Sequence, residues 1–177
     1  MADNLKVFIT AEEIDALNTK LAERIQLDYE KVLKPGETLL VVVTLKGAAF
    51  FATDLLKKIK LPVLIDFVRL SSYGSGTKSS GTVHIVKDME SSPTDQHILI
   101  LDEIVDSGRT LAFLKERIRA GSPKSVKLCS LLNKPSRREV PVEVDYLGRD
   151  VEDKFLVGYG LDKAEHYRNL PAVYYIE

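Results

Sequence analysis

The chain has 177 residues, 45% of them hydrophobic and 29% charged, with a formal net charge of −1. That is enough apolar chain for one domain with a sizeable core, and the near-neutral charge gives no electrostatic footing for general nucleic-acid binding. The only cysteine, Cys129, excludes an intrachain disulfide and fits a reducing compartment. The N-terminus MADNLKVF has no apolar signal core, and the most apolar run, Leu39 to Leu45, is too short to span a bilayer, so a cytoplasmic protein is expected.

In chain order, Thr10 followed by Glu13 reads as a capping box, and Ile14, Leu17, Leu21 and Ile25 recur at helical spacing. The spacing predicts a helix to about Val32, ended by Pro35-Gly36. LLVVVTL (39–45) is a continuous β-branched run, the sign of a strand buried on both faces. Lys46-Gly47 breaks the run, and from Ala48 onward Phe51, Leu55 and Ile59 make a helical face. Pro62 precedes a second strand, VLIDFVRL (63–70). A Ser/Gly-rich segment, SSYGSGTKSSG (71–81), leads to a more polar strand, TVHIVKDM (82–89), and ILIL (98–101) is a short buried strand. Leu111, Leu114 and Ile118 mark another helix, stopped by Gly121 and Pro123. VKLCSLL (126–132) is a buried strand, and VEVDYLG (142–148), KFLVGYG (154–160) and AVYYIE (172–177) are candidate strands. Buried strands alternating with helices predict an α/β fold with a central, mostly parallel sheet. Ligands of such sheets sit beyond the carboxyl ends of the strands. Lys46-Gly47 and Asp102 to Thr110 lie there.

The stretch ILILDEIVDSGRTL (98–111) carries the most chemistry. Its turn, Asp106-Ser107-Gly108-Arg109-Thr110, joins a strand to a helix N-terminus, where free N–H groups and the helix dipole favour an anion. Gly108 permits a tight turn and Ser107 and Thr110 add hydroxyls, although the GxxxxGK[ST] pattern of a P-loop is absent. Asp102 and Glu103 are adjacent, so on an extended chain their side chains point to opposite sides. Carboxylates suggest a cation and the turn suggests an anion; a metal-bound phosphorylated substrate would satisfy both. On the residues alone, Asp106 or Ser107 reads equally as a helix N-cap, and Asp102 and Glu103 as surface acids. His84, His97 and His166 show no metal-ligand spacing, and Cys129 is expected to pack rather than react.

LILDEIVDSGRTL resembles the 5-phosphoribosyl-1-pyrophosphate motif of type I phosphoribosyltransferases. VVVTLKGAAFFATDLL resembles the first active-site loop and helix of the hypoxanthine-guanine members of that family, and VRLSSYGSGTKSSG their bacterial mobile loop. LLNKPSRREVPVEVDYLG and DKFLVGYGLDKAEHYRNLP resemble their base-binding C-terminal part, so the likeness covers about residues 10 to 171. One departure is the acid pair, Asp102-Glu103 where the family more often has Glu-Asp.

The resemblance implies a single domain over 1–177, with a core at about 36–140 and a hood built from the N-terminal residues and about 141–177. It implies transfer of a phosphoribosyl group to hypoxanthine or guanine in purine salvage, with Mg2+ and a homodimer or homotetramer. Asp106 would act at purine N7 as general base and, with Ser107, Gly108, Arg109 and Thr110, lie at the 5-phosphate. Asp102 and Glu103 would serve the ribose and metal, with Asp162 a further metal-linked acid at the purine. Lys46, Gly47 and Arg168 would meet pyrophosphate, with a cis peptide between Lys46 and Gly47. Lys134, an all-donor ammonium, would select a 6-oxopurine, with Phe155 stacking on the base and Leu156 meeting its edge; Ser72 and Tyr73 would tip the mobile loop. Without the resemblance, Lys134 is a strand-end lysine, Phe155 a core aromatic and Arg168 a surface ion-pair partner. Arg137 and Arg138 are expected on a solvated face or at a subunit contact. The alternatives are a xanthine-preferring sister enzyme, or a non-enzymatic regulator that senses the same phosphoribosyl donor.

Overall fold

The structure, a computed structural model, describes residues 4–72 and 83–177. In chain order its elements are β1 (Leu5–Ile9), α1 (Ala11–Glu30), β2 (Leu39–Leu45), α2 (Ala48–Leu56), β3 (Val63–Ser72), β4 (Val83–Lys87), β5 (His97–Val105), α3 (Arg109–Ala120), β6 (Ser125–Asn133), one 3-10 turn (Pro135–Arg137), β7 (Tyr146–Asp150), β8 (Leu156–Val157) and β9 (Val173–Ile176). Tyr73 of the expected mobile loop lies outside the described residues; Ser72 is the last residue of β3.

Six strands form a sheet in the order β4-β3-β2-β5-β6-β7, all parallel except β4, which runs antiparallel to β3. The apolar runs alternate between two cores. Leu39, Val41, Val43, Leu99 and Leu101 face α1 and α2, which contribute Ile14, Leu21, Ile25, Phe51 and Leu55. Leu40, Val42, Ile98 and Ile100 face α3, which contributes Leu111, Leu114 and Ile118. A strand with both faces covered has no polar side to show, which is why these runs are unbroken. Each such side chain, fully buried, contributes on the order of 1.5–3 kcal/mol. The capping box of α1 forms in full: the Glu13 amide donates to Thr10 Oγ1 at 3.2 Å, and the Thr10 amide to Glu13 Oε2 at 2.9 Å.

The chain leaves β2 toward β3 on one side and β5 toward β6 on the other. Their following helices, α2 and α3, therefore pack on opposite faces, and a crevice opens between the carboxyl ends of β2 and β5. A second, antiparallel sheet, β1-β9-β8, joins the two ends of the chain, with Leu5 opposite Ile176.

Several expected boundaries move. The helix expected to reach Val32 ends at Glu30, where the amides of Val32 and Leu33 both turn back to the Tyr29 carbonyl. The strand expected over 98–101 continues to Val105, because β6 keeps pairing beside it through Ile104↔Leu132 and Val105↔Asn133. The acids thus belong to the strand itself. VEVDYLG yields only its end to β7, which extends the main sheet to Asp150, beyond residue 140. KFLVGYG yields two strand residues, because Gly158, Tyr159 and Gly160 all take positive φ (92°, 49° and 97°).

Candidate active site

One pocket lies in the crevice, walled by Thr44 to Gly47 from the β2 end and by Asp102, Glu103, Asp106, Ser107, Gly108 and Thr110 from β5 and its turn. Asp162 and Arg168, between β8 and β9, close it from above. The N-termini of α2 and α3 both open onto it, since Gly47 and Gly108 directly precede those helices. The first N–H groups of a helix have no partner within it, so two anion-binding ends meet here.

The turn before α3 needs glycine at position 108. Its φ is +83°, and a Cβ there would lie 2.4 Å from the Val140 carbonyl oxygen. Ser107 Oγ accepts from the Arg109 amide at 3.4 Å, while the Ser107 carbonyl accepts from the amides of Glu139 and Val140. The Arg109 guanidinium turns outward to Glu139 at 2.5 Å, so Arg109 offers the turn its backbone rather than its charge.

The acid pair sits at the floor. The Thr44 hydroxyl bonds to Asp102 Oδ1, and Glu103 lies against the backbone of Gly47, where a Cβ would stand 1.8 Å from Glu103 Oε1. A side chain at position 47 would therefore displace the Glu103 carboxylate. Withdrawal from water raises both carboxyl pKa values above the ordinary range, and the Asp102 charge raises that of Glu103 further. The two side chains line the same pocket, although they leave an extended strand at adjacent positions.

The expected cis peptide exists one bond earlier than predicted. It joins Leu45 to Lys46, at the last residue of β2, while Lys46-Gly47 is trans and leads into α2. The reversal falls where the strand ends, ahead of the two residues that form the turn.

Above the floor, Arg168 donates to the Gly160 carbonyl at 2.7 Å and pairs with Asp162 at 2.8 Å and Glu165 at 3.5 Å. Glu165 also holds Lys46, at 2.8 Å. The Lys46 ammonium keeps the Glu165 carboxyl below its ordinary pKa. Asp162 lines the same pocket as Asp102 and Glu103, yet among the described residues no three acids, histidines or cysteines gather as a ready metal cage.

The remaining residues form a neighbouring wall. Lys134 follows β6, its amide donating to the Val105 carbonyl at 2.9 Å, one residue before Asp106. Its ammonium is buried and donates to the Lys154 carbonyl at 2.7 Å. Phe155 is 56% exposed, which removes the reading of it as a core aromatic. Leu156 is buried in β8. Cys129 packs in the main core, and burial pushes its thiol pKa up, away from reactivity.

Arg137 is exposed, as expected, and Arg138 is half-buried, but both also reach the site. Arg137 Nε donates to Asp106 Oδ1 at 3.3 Å, and Arg138 donates to the Asp106 carbonyl at 3.1 Å and to Asn133. The 3-10 turn brings them back over the end of β5. Arg137, Glu165, Asp153 and Thr44 are the side chains that sequence reasoning missed. Apart from the Glu165–Arg168 pair, three residues apart, their contacts run across the fold, where no local pattern marks them.

The Phosphoribosyl transferase domain family matches residues 10–164. The Bifunctional protein TilS/HprT of Listeria innocua is 47% identical over 171 residues; the match takes in 97% of this chain, which spans only 26% of that longer protein. The Hypoxanthine-guanine phosphoribosyltransferase of Bacillus subtilis is 43% identical over 95% of this chain and 91% of its own length. Among solved structures, the Hypoxanthine Phosphoribosyltransferase from Trypanosoma cruzi, in complex with the product IMP, superposes with a TM-score of 0.89 at 34% identity, over 97% of this chain and 94% of that one.

Proposed function

The chain belongs to the phosphoribosyl transferase family, in its hypoxanthine-guanine group, and on that premise we propose the reaction it carries out. The 5-phosphoribosyl group of 5-phosphoribosyl-1-pyrophosphate passes to N9 of hypoxanthine, or of guanine, giving IMP or GMP and pyrophosphate in purine salvage. The ribose C1–O bond to pyrophosphate breaks, the C1–N9 bond forms, and the purine N7 proton passes to the protein. The observation that carries this reading is the convergence of two helix N-termini, two half-buried acids and Asp106 on one pocket. A donor with a phosphate at one end and a pyrophosphate at the other needs two anion sites.

In this reading the turn of Ser107, Gly108, Arg109 and Thr110 holds the 5-phosphate, with Arg109 contributing through its backbone. Gly47 and Lys46 hold the pyrophosphate with Arg168. Asp102 and Glu103 serve the ribose and metal. Asp106 accepts the N7 proton, and Lys134 donates to the purine 6-oxygen. An ammonium cannot accept from the 6-amino group of adenine, so Lys134 favours 6-oxopurines. Phe155 supplies a free aromatic face for stacking, and Leu156 presents its backbone at the base edge. The three-stranded sheet and the chain after β7 act as the hood of a single domain.

Magnesium fits the donor set. It prefers hard oxygen ligands and usually takes one or two carboxylates, completing its shell with waters and substrate phosphates. Asp102, Glu103 and Asp162, which line the pocket, are the carboxylates that would hold it together with the donor. When bound, the ion neutralises charge on the leaving pyrophosphate.

None of the described helices is long and apolar enough to cross a membrane, and we place the protein in the cytoplasm. Phe50 of α2, Ile65 and Phe67 of β3 and Val86 of β4 are exposed around one edge of the main sheet, a surface suited to a homodimer or homotetramer contact. The deciding experiment incubates the full chain with magnesium, the phosphoribosyl donor and hypoxanthine, guanine, xanthine or adenine in turn. Nucleotide is expected with hypoxanthine and guanine. No product with any base would end the enzyme reading, and a preference for adenine would remove Lys134 from its role.

A further inference from the structure

Asp106 and Lys134, the two groups assigned above to the purine, are joined by other side chains. Arg137 Nε donates to Asp106 Oδ1 at 3.3 Å. The same guanidinium, through Nη1, lies 3.7 Å from Asp153 Oδ2. The other oxygen of that carboxylate, Oδ1, lies 3.9 Å from Lys134 Nζ. Asp106, Arg137, Asp153 and Lys134 therefore form an alternating chain of charges, minus, plus, minus, plus. It starts at the turn before α3, passes through the 3-10 turn, and crosses to the segment between β7 and β8. Among the described residues no hydrogen bond reaches Asp106 Oδ2, so the Arg137 contact engages one carboxylate oxygen and leaves the other for the purine.

We propose that Arg137, braced by Asp153, is a positioning residue that sets the orientation of Asp106 against the purine and couples it to Lys134. The proposal rests on the roles given to Asp106 and Lys134 above. A guanidinium suits the task because its planar fork reaches two carboxylates at once, which a lysine ammonium does as a point charge. Asp153 enters from the hood side of the chain, so the contact also ties the base wall to the floor. Arg137 reaches none of the phosphate-side residues Ser107 to Thr110. Its removal should therefore disturb purine turnover and spare donor binding.

The test compares Arg137→Gln, Asp153→Asn, the double variant and Arg137→Lys in the full chain with magnesium. The side chains of Arg137 and Asp153 are 55% and 49% exposed, so neither substitution removes core packing. Each single variant is expected to lose about fivefold in kcat with hypoxanthine, the scale of a solvent-exposed ion pair carried into a barrier. KM for the donor stays unchanged. The double variant should lose no more than the worse single, since both break one coupled contact, and Arg137→Lys should recover part of the rate. Unchanged kcat in Arg137→Gln, multiplied losses in the double variant, or a loss confined to donor KM would each overturn the proposal. Asp106→Asn, measured beside them, separates the two readings. If it turns over normally, the assignment of Asp106 fails on its own. If it is inactive while Arg137→Gln is normal, only the positioning role fails.

Discussion

The floor of the pocket and its roof are built by different physics. The floor, Asp102 to Thr110, extends from β5, whose neighbours Ile98 to Leu101 are fully buried between two helix layers. Its position follows from sheet pairing and core packing, and it holds two acids in partial burial at an electrostatic cost. The roof, Asp153 to Arg168, is anchored in the main core by Leu156, Tyr159 and Leu161, but its pocket-facing part is held by ion pairs among mostly half-exposed side chains and by a backbone with repeated positive φ at Tyr159, Ala164, Glu165 and Tyr167. Ion pairs of that exposure are individually weak. The difference suits a reaction in which a charged donor must be held in fixed geometry while a flat base enters and leaves. Substitutions in the floor should therefore change rates and stability strongly, and substitutions in the roof should change affinities modestly.

The largest expected effect is at Asp106. Asp106→Asn keeps the shape of the turn and removes the proton acceptor, so turnover should fall by roughly 10²–10⁴, the usual yield of general acid–base catalysis. Donor binding, followed by titration calorimetry with magnesium present, should stay near wild type. Equal loss of both would show that Asp106 works as a structural cap instead.

Next is the seam between floor and roof. A Cβ at Gly160 would stand 2.0 Å from the Gly47 carbonyl oxygen, and one at Gly47 would stand 1.8 Å from Glu103. The first clash is with backbone, and φ at Gly160 is +97° as well. Gly160→Ala is expected to destabilise the fold by about 1–3 kcal/mol, the range for overpacking, read as a lower Tm. A Tm equal to wild type would mean that the roof swings clear, and the contrast drawn above would sharpen.

A third effect separates the regions by pH. The pKa values of Asp102 and Glu103 are raised in the fold by burial, and that of Glu103 also by the neighbouring charge. Acids with raised pKa values make the folded state bind more protons than the unfolded chain, so their contribution is most favourable below the ordinary carboxylate pKa. It declines as pH rises through that value toward the raised one. Glu103→Gln removes one member of the pair. In metal-free protein its Tm advantage over wild type should therefore grow as pH rises from about 4 to neutrality, while activity is lost. An advantage that shrank over this range would mean that the pair is stabilised by contacts with its surroundings.

The same contrast explains what the sequence disclosed. LILDEIVDSGRTL is one contiguous strand, turn and helix start, so its order of elements could be read from neighbours along the chain, although the N-cap is Gly108 and not the expected Asp106 or Ser107. The two core faces followed from the unbroken apolar runs, and the capping box of α1 from two residues three apart. Strand β1 left no such mark: LKVFI is only five residues long, and its partner β9 lies at the other end of the chain. The strand end at Val105 was hidden because pairing with β6, and not residue type, prolongs it. The Arg137 contact with Asp106 was hidden because 31 residues separate the two. The left-handed residues of the roof are mostly not glycine, so nothing in their identity announced the turns they make.

The smallest expected effect probes the roof itself, at Glu165. Its carboxylate links the Lys46 ammonium, at 2.8 Å, to the Arg168 guanidinium, at 3.5 Å. Both cations are assigned here to pyrophosphate, so Glu165 competes with that ligand for its own binding groups. Removing the charge should release them. Glu165→Gln is expected to tighten magnesium-pyrophosphate binding by about two- to threefold, a modest change because the pair is largely in water. Raising the salt concentration should narrow the gap between variant and wild type, since screening weakens the competing contact. Lys46→Met serves as the control, and it should weaken pyrophosphate binding if Lys46 touches the ligand. Weaker binding in Glu165→Gln would mean that the carboxylate holds the two cations ready for pyrophosphate, and the roof would then share the preorganised character of the floor.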